Sequence, residues 1–457
     1  MTKRIKRPVL GTALILAGLM GSTILAHADN LTDALTTAYI NNPTLQAARA
    51  GQRVNDETVN QATAGWRPTI QATGSIARTD SRRTGVSFLP SQQITKPKSL
   101  GVSLEQPVFR SFQTVNGTKE ARKQVEAGRA QLMNTEQQIF LDTVSAYSNV
   151  IRDESFLEFT TNNVIALQRQ LKASEDRFEV GEITRTDVAQ SKARLSRAQS
   201  EKINAEAILT ASRAAYRRVV GNEPGTLEKE IELPTLPASE EAAYDLASQH
   251  HPAIVAAKAS EAAAEYAVKK QYGGLGPSVT VGASYSKSWD GFFAGDTNTA
   301  KTIQANLRLP IYQAGVQASV VRQAKQRRNQ YRMEAIAAER QIQELVRNAW
   351  ESYREASARI TSTLSQLEAN EIALEGVRQE ADVGSRTILD VLDAEQELLD
   401  ARVNNARAVR DRTVAAFNLL ATIGQLNAKD LGLNVDIYDA EGKSEDTEWK
   451  IYGFGAE

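Results

Sequence analysis

The sequence predicts a mostly α-helical chain, written twice, with four strands of the kind that build a β-barrel. Three observations carry the prediction. Landmark residues recur at a near-constant offset, four short runs alternate apolar and polar residues, and two very long stretches hold no proline.

The chain has 457 residues, with 54 Lys and Arg against 55 Asp and Glu, three His and no Cys. Without cysteine there is no disulfide scaffold, zinc ribbon, iron–sulfur cluster or thiol nucleophile. The balanced charge argues against a general nucleic-acid binder. Residues 1–28 read as a secretory signal peptide. Lys3, Arg4, Lys6 and Arg7 precede an apolar run from Val9 to Leu25, and Ala26-His27-Ala28 is a cleavage site. Losing those four cations takes the formal net charge from −1 to −5. The remainder has no apolar run of the roughly 20 residues that a membrane helix needs. An exported chain without cysteine suits a bacterial envelope, with stability drawn from size or assembly.

Duplication sets the order of the elements. Asn41-Asn42-Pro43 recurs as His250-His251-Pro252, and Pro68-Thr-Ile as Pro277-Ser-Val, both 209 residues later. Pro107-Val-Phe recurs as Pro310-Ile-Tyr, Val180-Gly181 as Val383-Gly384, Asp187-Val188 as Asp390-Val391 and Gly221 as Gly424, all 203 later. The offset changes once, by six residues, which marks a shorter loop in the second copy. Each copy begins with a helical segment, 31–64 or 240–273.

A strand, a polar loop and a second strand follow. In 278–286, Val279, Val281, Ala283 and Tyr285 share one face and Thr280, Gly282, Ser284 and Ser286 the other. Runs 69–76, 100–108 and 302–309 alternate in the same way. Each is about 8–10 residues, close to the length of a tilted membrane strand. A soluble sheet with one wet face fits the pattern equally well. Loops 79–98 and 287–301 join the strands and would face outside the cell, with Trp289, Phe292 and Phe293 at the membrane interface or in an ordinary packed loop.

The long stretches come next. No proline lies between Pro107 and Pro224 or after Pro310. Phe140, Val144, Tyr147 and Ile151 step along one helix face. A helix over 113–178 would be about 100 Å long. Gly181 interrupts it, and a second helix over 184–219 carries Val188, Leu195, Leu209 and Tyr216 on a seven-residue grid that Lys202 breaks. The second copy repeats this over 316–380 and 386–421. The linker Gly221–Ser239, with its solvated Glu228, Glu230 and Glu232, and the tail from 424 would wrap the middle. The tail after Asp436 is polar and expected to be disordered.

Four strands cannot close a barrel, and open edges are not viable in lipid. Either the strands are soluble or several chains share one barrel. Two chains give eight strands with a filled interior, and three give twelve with a pore.

At this point the chain resembles the TolC family of outer-membrane efflux proteins over essentially its whole mature length. The resemblance rests on Asn42-Pro43, on Pro310-Ile-Tyr-Gln-Ala-Gly315, on Val383-Gly-Ser-Arg-Thr-Ile-Leu-Asp-Val-Leu-Asp393 and on its sister Val180-Gly-Glu-Ile-Thr-Arg-Thr-Asp-Val188. It implies a homotrimer, a twelve-stranded barrel in outer-membrane lipid, and a twelve-helix coiled-coil tunnel through the periplasm. It also implies a periplasmic adaptor (membrane fusion) protein and an inner-membrane transporter as partners. The corresponding division is 29–67 and 240–276 as helical barrel, 68–109 and 277–312 as β-barrel strands, 110–220 and 313–422 as helical hairpins with tips near 181 and 384, 221–239 as equatorial linker, and 423–457 as equatorial segment and tail.

The candidate site lies at the hairpin tips. Asp390 and Asp393 are three apart and share a helix face. In a trimer they would make two rings of carboxylates, which favour cations. The resemblance places the pore selectivity ring at these positions. Crowding in such a ring would raise each carboxyl's pKa, so the ring should weaken in acid. Arg386 stands four before Asp390, as a surface pair or, by resemblance, as a tip lock to Asp187 and Thr186 of a neighbouring subunit. Better-known members carry Tyr where this chain has Ala381, so the closed tip is expected to be held more weakly or by other residues. Gly181 and Gly384 permit tight turns, and the resemblance makes both turns adaptor-docking surfaces.

His250-His251 suits a helix start rather than a metal site. No Gly-rich phosphate loop, G-x-S-x-G or H-E-x-x-H is present, so no enzyme, cofactor or metal is expected. The expected function is the exit duct of a tripartite efflux system, conducting passively. A type I protein secretion duct is the alternative on the same fold. A soluble periplasmic coiled-coil scaffold explains the helices but not the strands.

Overall fold

The computed structural model describes residues 30–82, 84, 92–291, 293 and 295–442. The signal peptide, Phe292 and the last residues of the tail lie outside them. The first half runs α1 (Leu31–Asn41), α2 (Pro43–Thr63), β1 (Thr69–Ile76), β2 (Thr79–Arg82), β3 (Gln92–Thr95), β4 (Lys98–Arg110), α3 (Gln113–Glu179) and α4 (Arg185–Val220). The second runs α5 (Glu240–His250), α6 (Pro252–Tyr272), β5 (Ser278–Trp289), β6 (Thr297–Arg308), α7 (Val316–Asp382) and α8 (Ile388–Thr422).

The opening helical segment of each half is two helices, not one, and proline is the reason. Proline has no N–H and clashes with the preceding turn, so it is tolerated only at a helix start. In each half the residue before it caps the new helix. Asn42 Oδ1 accepts from the Thr44 N–H at 2.9 Å, and His251 Nδ1 accepts from the Ala253 N–H at 3.1 Å.

Strands β1, β4, β5 and β6 form one antiparallel sheet in that order. Its register pairs Ile70 with Leu104, Leu104 with Ala283 and Ala283 with Ile303, so the apolar residues of all four strands share one face. The opposite face carries Thr73, Gly101, Ser286 and Ala300, and is largely polar. A β-bulge falls between Pro107 and Phe109, where proline cannot donate to the ladder. Every residue of β1 and β6 is exposed, and their outer edges have no strand partner among the described residues.

Two loop expectations are corrected. Residues 79–98 hold a separate hairpin, β2 with β3, and the second loop shrinks to 290–296 because β5 and β6 pair as far as Trp289 and Thr297. Those strand ends read Ser286-Lys-Ser-Trp and Thr297-Asn-Thr, without a clean apolar face. Backbone pairing continues there without the alternation that marks a strand from its sequence.

Helices α3 and α7 have 67 residues each, about 100 Å at 1.5 Å per residue. The returning helices α4 and α8 have 36 and 35. Helix α3 packs against α4 towards the far tip and against α2 and α6 nearer the sheet, while α8 joins the two halves across α3. Phe140, Val144 and Tyr147 are completely buried and Ile151 half-buried. On α4 the expected grid holds at Leu209 and Tyr216, while Val188 and Leu195 are only half-buried. A parallel file, Ser191, Ala198 and Ala205, is buried along its length. Small side chains there let the partner helix approach closely.

The main core sits at mid-height, around Tyr147, Tyr216, Leu45, Ile254, Leu419 and Ile423. The linker crosses it: Leu227 is buried and Tyr147 Oη donates to the Glu228 carbonyl at 3.1 Å, while Glu228, Glu230 and Glu232 stay exposed. The segment after α8 crosses it too. Ala428 N–H donates to Glu136 Oε1 at 2.7 Å, and Tyr438 N–H donates to Tyr39 Oη at 2.9 Å. Order therefore continues past Asp436, because Arg49 stacks between the rings of Tyr39 and Tyr438, at 4.1 and 5.5 Å. No described helix is long and apolar enough to cross a membrane.

Candidate functional site

The two hairpin tips are built alike from local chemistry. Each long helix ends on a glycine with positive φ, +77° at Gly181 and +80° at Gly384. Left-handed backbone disfavours any residue with a Cβ. The next N–H then reaches back to close the turn: Glu182 to the Arg177 carbonyl and Ser385 to the Glu380 carbonyl, both at 2.9 Å. No atom lies within 4 Å of where a Cβ would stand on either glycine, so both turns are open to solvent.

Capping boxes start both returning helices. Asp187 Oδ2 accepts from Thr184 N–H at 2.9 Å and from its hydroxyl at 2.8 Å. Asp390 Oδ2 accepts from Thr387 N–H and Oγ1 at the same two distances. In return the Thr oxygens accept from the Asp N–H groups, at 3.4 Å for Asp187 and 3.2 Å for Asp390. The Thr387 backbone bond, then its hydroxyl bond, hold the Asp390 carboxyl below the usual carboxylate range. Within one chain this shift is opposite to the one that crowding in a ring would produce.

The remaining predicted site residues take the following places. Asp393 is exposed on α8 and forms an ion pair with Arg194 of α4, which joins the two hairpins. Arg386 bonds Glu380 at 2.8 Å across its own turn, and none of its described bonds reaches Asp187 or Thr186 of the same chain. Thr186 is exposed in the first turn of α4. Ala381 lines a cavity of about 220 Å³ between the hairpins, with Ser174, Arg177, Arg378, Asp382 and Val391.

Sequence reasoning missed Arg194, Glu380 and the Arg378–Glu395 pair at 2.8 Å. Arg194 and Asp393 are 199 residues apart, and no spacing rule joins them. Glu395 lies 17 residues after Arg378. Folding the chain back about Gly384 would have brought those two side by side. Among the described residues no group of three or more His, Asp or Glu side chains is placed to hold a metal ion.

Comparison with known proteins follows the same lines. The family model described as outer membrane efflux protein matches residues 34–222 and 243–425, one match per half. The outer membrane efflux protein BepC of Brucella suis is 34% identical over 442 residues, 95% of this chain and 94% of that protein. The outer membrane protein TolC of Vibrio cholerae is 28% identical over 422 residues, 88% of this chain and 92% of its own. The alkaline protease secretion protein AprF of Pseudomonas aeruginosa is 24% identical over 344 residues, 73% of this chain and 70% of its own. Among solved structures, the outer membrane protein VceC of Vibrio cholerae superposes with a TM-score of 0.74 at 20% identity, over 86% of this chain and 96% of that one.

Proposed function

The chain belongs to the outer membrane efflux protein family, and from that membership we propose that three copies close one barrel and continue it as one tunnel. As a member it is a transport duct of the outer membrane that extends into the periplasm, not an enzyme. The observation that carries the trimer is the sheet. A sheet of four strands whose two outer strands are exposed along their whole length, with both outer edges unpaired among the described residues, is incomplete by itself. Lipid does not tolerate open edges. Three chains give twelve strands, wide enough for a pore, where two would give a filled barrel.

In this reading 68–109 and 277–312 span the outer membrane, and 110–220 and 313–422 form the tunnel. Residues 29–67 and 240–276 form its helical barrel, and 221–239 with 423–457 gird its middle. The duct conducts passively. An inner-membrane transporter drives export, and a periplasmic adaptor docks on the turns at Gly181 and Gly384. Asp390 and Asp393 form the selectivity ring, and Arg386 meets Asp187 and Thr186 of the next subunit when the tip is closed. The pairs Arg386–Glu380 and Arg194–Asp393 support a tip held by charge, because the first puts a cation against an acid across the turn and the second ties α4 to α8 just above it.

The test is single-channel conductance in a planar bilayer, wild type against the Asp390→Ala, Asp393→Ala double variant. Small cation-selective steps that lose selectivity in the variant are expected. Absence of channels from folded protein would overturn the duct, and an indistinguishable variant would overturn the ring. Protein secretion is a second reading, favoured by the match to AprF, a protease secretion protein. Deleting the gene and assaying drug sensitivity against secreted protein separates the two.

A further inference from the structure

Register divides the sheet into two faces, and the charges on them differ. The apolar face is the one a barrel turns to lipid. Following the pairing towards the loops, Lys98 lies opposite Trp289, Lys287 opposite Leu100, and Lys301 opposite Tyr285. All three lysines thus sit on the apolar face, and all lie towards the end where the strands are joined by loops rather than by helices. That face carries no acidic residue within the four strands, since the acid of β4, Glu105, pairs with Gly282 on the other face.

The lysines step diagonally across β4, β5 and β6. Each step is one strand sideways and two residues along, or about 8 Å between Cα atoms. None forms an ion pair with a described acid. Lys287 Nζ lies 5.2 Å from the centre of the Trp289 ring. At the top of the row is an open cavity of about 640 Å³, lined by Ile76, Lys98, Leu100, Trp289 and the turn residues Asp290 and Asp296. Those two carboxylates are held by their own turn: Asp296 Oδ1 accepts from Gly291 N–H and Asp290 Oδ1 from Gly295 N–H, both at 2.7 Å.

We propose that Lys98, Lys287 and Lys301, with Trp289, form a binding surface on the outside of the barrel for a phosphorylated glycolipid of the outer leaflet. The proposal rests on the barrel reading above. Unpaired cations on a lipid-facing surface need anions at head-group depth, and the indole belongs at that depth. A phosphodiester lipid brings one charge and answers one lysine. A glycolipid with two phosphate monoesters brings about −3 to −4 and matches a row of three. Lysine, a compact charge on a flexible stem, suits phosphate as a point partner.

The test uses the full-length protein reconstituted in phosphatidylcholine vesicles doped with lipid A carrying both phosphates. Parallel vesicles carry dephosphorylated lipid A or phosphatidylglycerol. Lipid retained per protein after washing is measured by mass spectrometry. Wild type is expected to retain the phosphorylated glycolipid over both others, even against excess inorganic phosphate. The Lys98→Gln, Lys287→Gln, Lys301→Gln variant should bind on the order of 100-fold more weakly, at about fivefold per lysine. A control with Lys229→Gln in the linker and Lys258→Gln in α6, both outside the sheet and paired with Glu158 and Glu339, should bind as wild type. Equal retention by the triple variant, or equal retention of phosphatidylglycerol by wild type, would overturn the proposal. If the triple variant does not insert, wild-type retention must instead fall with rising salt, and retention that ignores salt overturns it. Wild type that conducts but holds no glycolipid refutes this inference alone, whereas wild type that never inserts refutes the barrel.

Discussion

Gly424→Ala separates two costs that glycine hides at different turns of this chain. Gly181, Gly221, Gly384 and Gly424 all have positive φ, between +77° and +103°. Placing alanine in left-handed backbone costs about 1–2 kcal/mol at any of them. Their surroundings differ. A Cβ on Gly384 would meet nothing within 4 Å, and one on Gly221 would meet only Asn41 Cβ at 3.5 Å, an ordinary contact. One on Gly424 would stand 2.8 Å from the His250 carbonyl oxygen, 2.9 Å from its carbon and 3.0 Å from His251 Cα. All three are backbone atoms at the α5–α6 junction, so the joint itself must open. Overpacking of that kind adds about 1–3 kcal/mol. The sum is about 2–5 kcal/mol for Gly424→Ala against about 1–2 for Gly384→Ala. In a chain of this size that is a lower melting temperature by about 2–5 °C against about 1–2 °C. The assay is thermal loss of helical circular dichroism in detergent, with the variants run in parallel. A Gly424→Ala melt as high as that of Gly384→Ala would refute the claim that the end of α8 is clamped on the α5–α6 junction.

Four further predictions concern the tip and the caps. Arg194→Gln frees Asp393, so reversal potentials in a salt gradient should report stronger cation preference, with little change in melting because an exposed pair contributes about 0.2–1 kcal/mol. Thr387→Ala removes the hydroxyl bond, the smaller of the two that lower the Asp390 pKa, and leaves the backbone N–H bond in place. The variant should therefore lose its cation preference at slightly higher pH than wild type does. His251 is held neutral by burial, its pKa lowered from 6.5, so its stabilisation is present above 6.5 and lost as pH falls towards the folded value. His251→Asn, which copies Asn42, should keep the cap and flatten the pH dependence of melting. Ala381→Tyr should fill the cavity beside Arg177 and Arg378 and reduce leak current through the closed tip, and an unchanged leak would exclude Ala381 as the cause of a weaker closure.

The sequence made the helices legible because nothing competes with them. Over 113–178 there is no proline, and Phe140, Val144, Tyr147 and Ile151 keep the helical step, so length and end points follow directly. The strands were legible only where they alternate. Beyond Tyr285 and before Lys301 the apolar rhythm stops while the ladder continues, and pattern reading ends the strand too soon. Helix breaks at Pro43 and Pro252 needed proline chemistry as well as periodicity. At the tips, glycines and capping residues were readable because their signals span only a few positions. The Arg194–Asp393 pair was not, because it depends on how two hairpins lie against each other. Tyr438 was hidden for the same reason, since only the folded chain brings Arg49 and Tyr39 to it.

The two tips share a backbone but not a charge pattern, and the difference bears on which carboxylates matter. The offset of 203 matches Gly181 with Gly384, Thr184 with Thr387 and Asp187 with Asp390, and each pair does the same work of turning and capping. The same offset matches Arg177 with Glu380, Ile183 with Arg386 and Gln190 with Asp393. Turn pairing is accordingly reversed in sign: Arg177 faces Glu182 at 3.8 Å in the first tip, and Glu380 faces Arg386 at 2.8 Å in the second. Positions that the backbone needs are the same in both copies, and positions it does not need have diverged. Asp390 therefore has a sufficient reason to be Asp in its cap alone, as Asp187 has. Asp393 has no such reason. It caps nothing, it replaces a glutamine, and its exposed carboxylate is met by an arginine from the other hairpin. Three such chains would set six hairpins of one shape around the axis but only three copies of Asp393. Of the two carboxylates, Asp393 is the one that the backbone of its own turn does not explain.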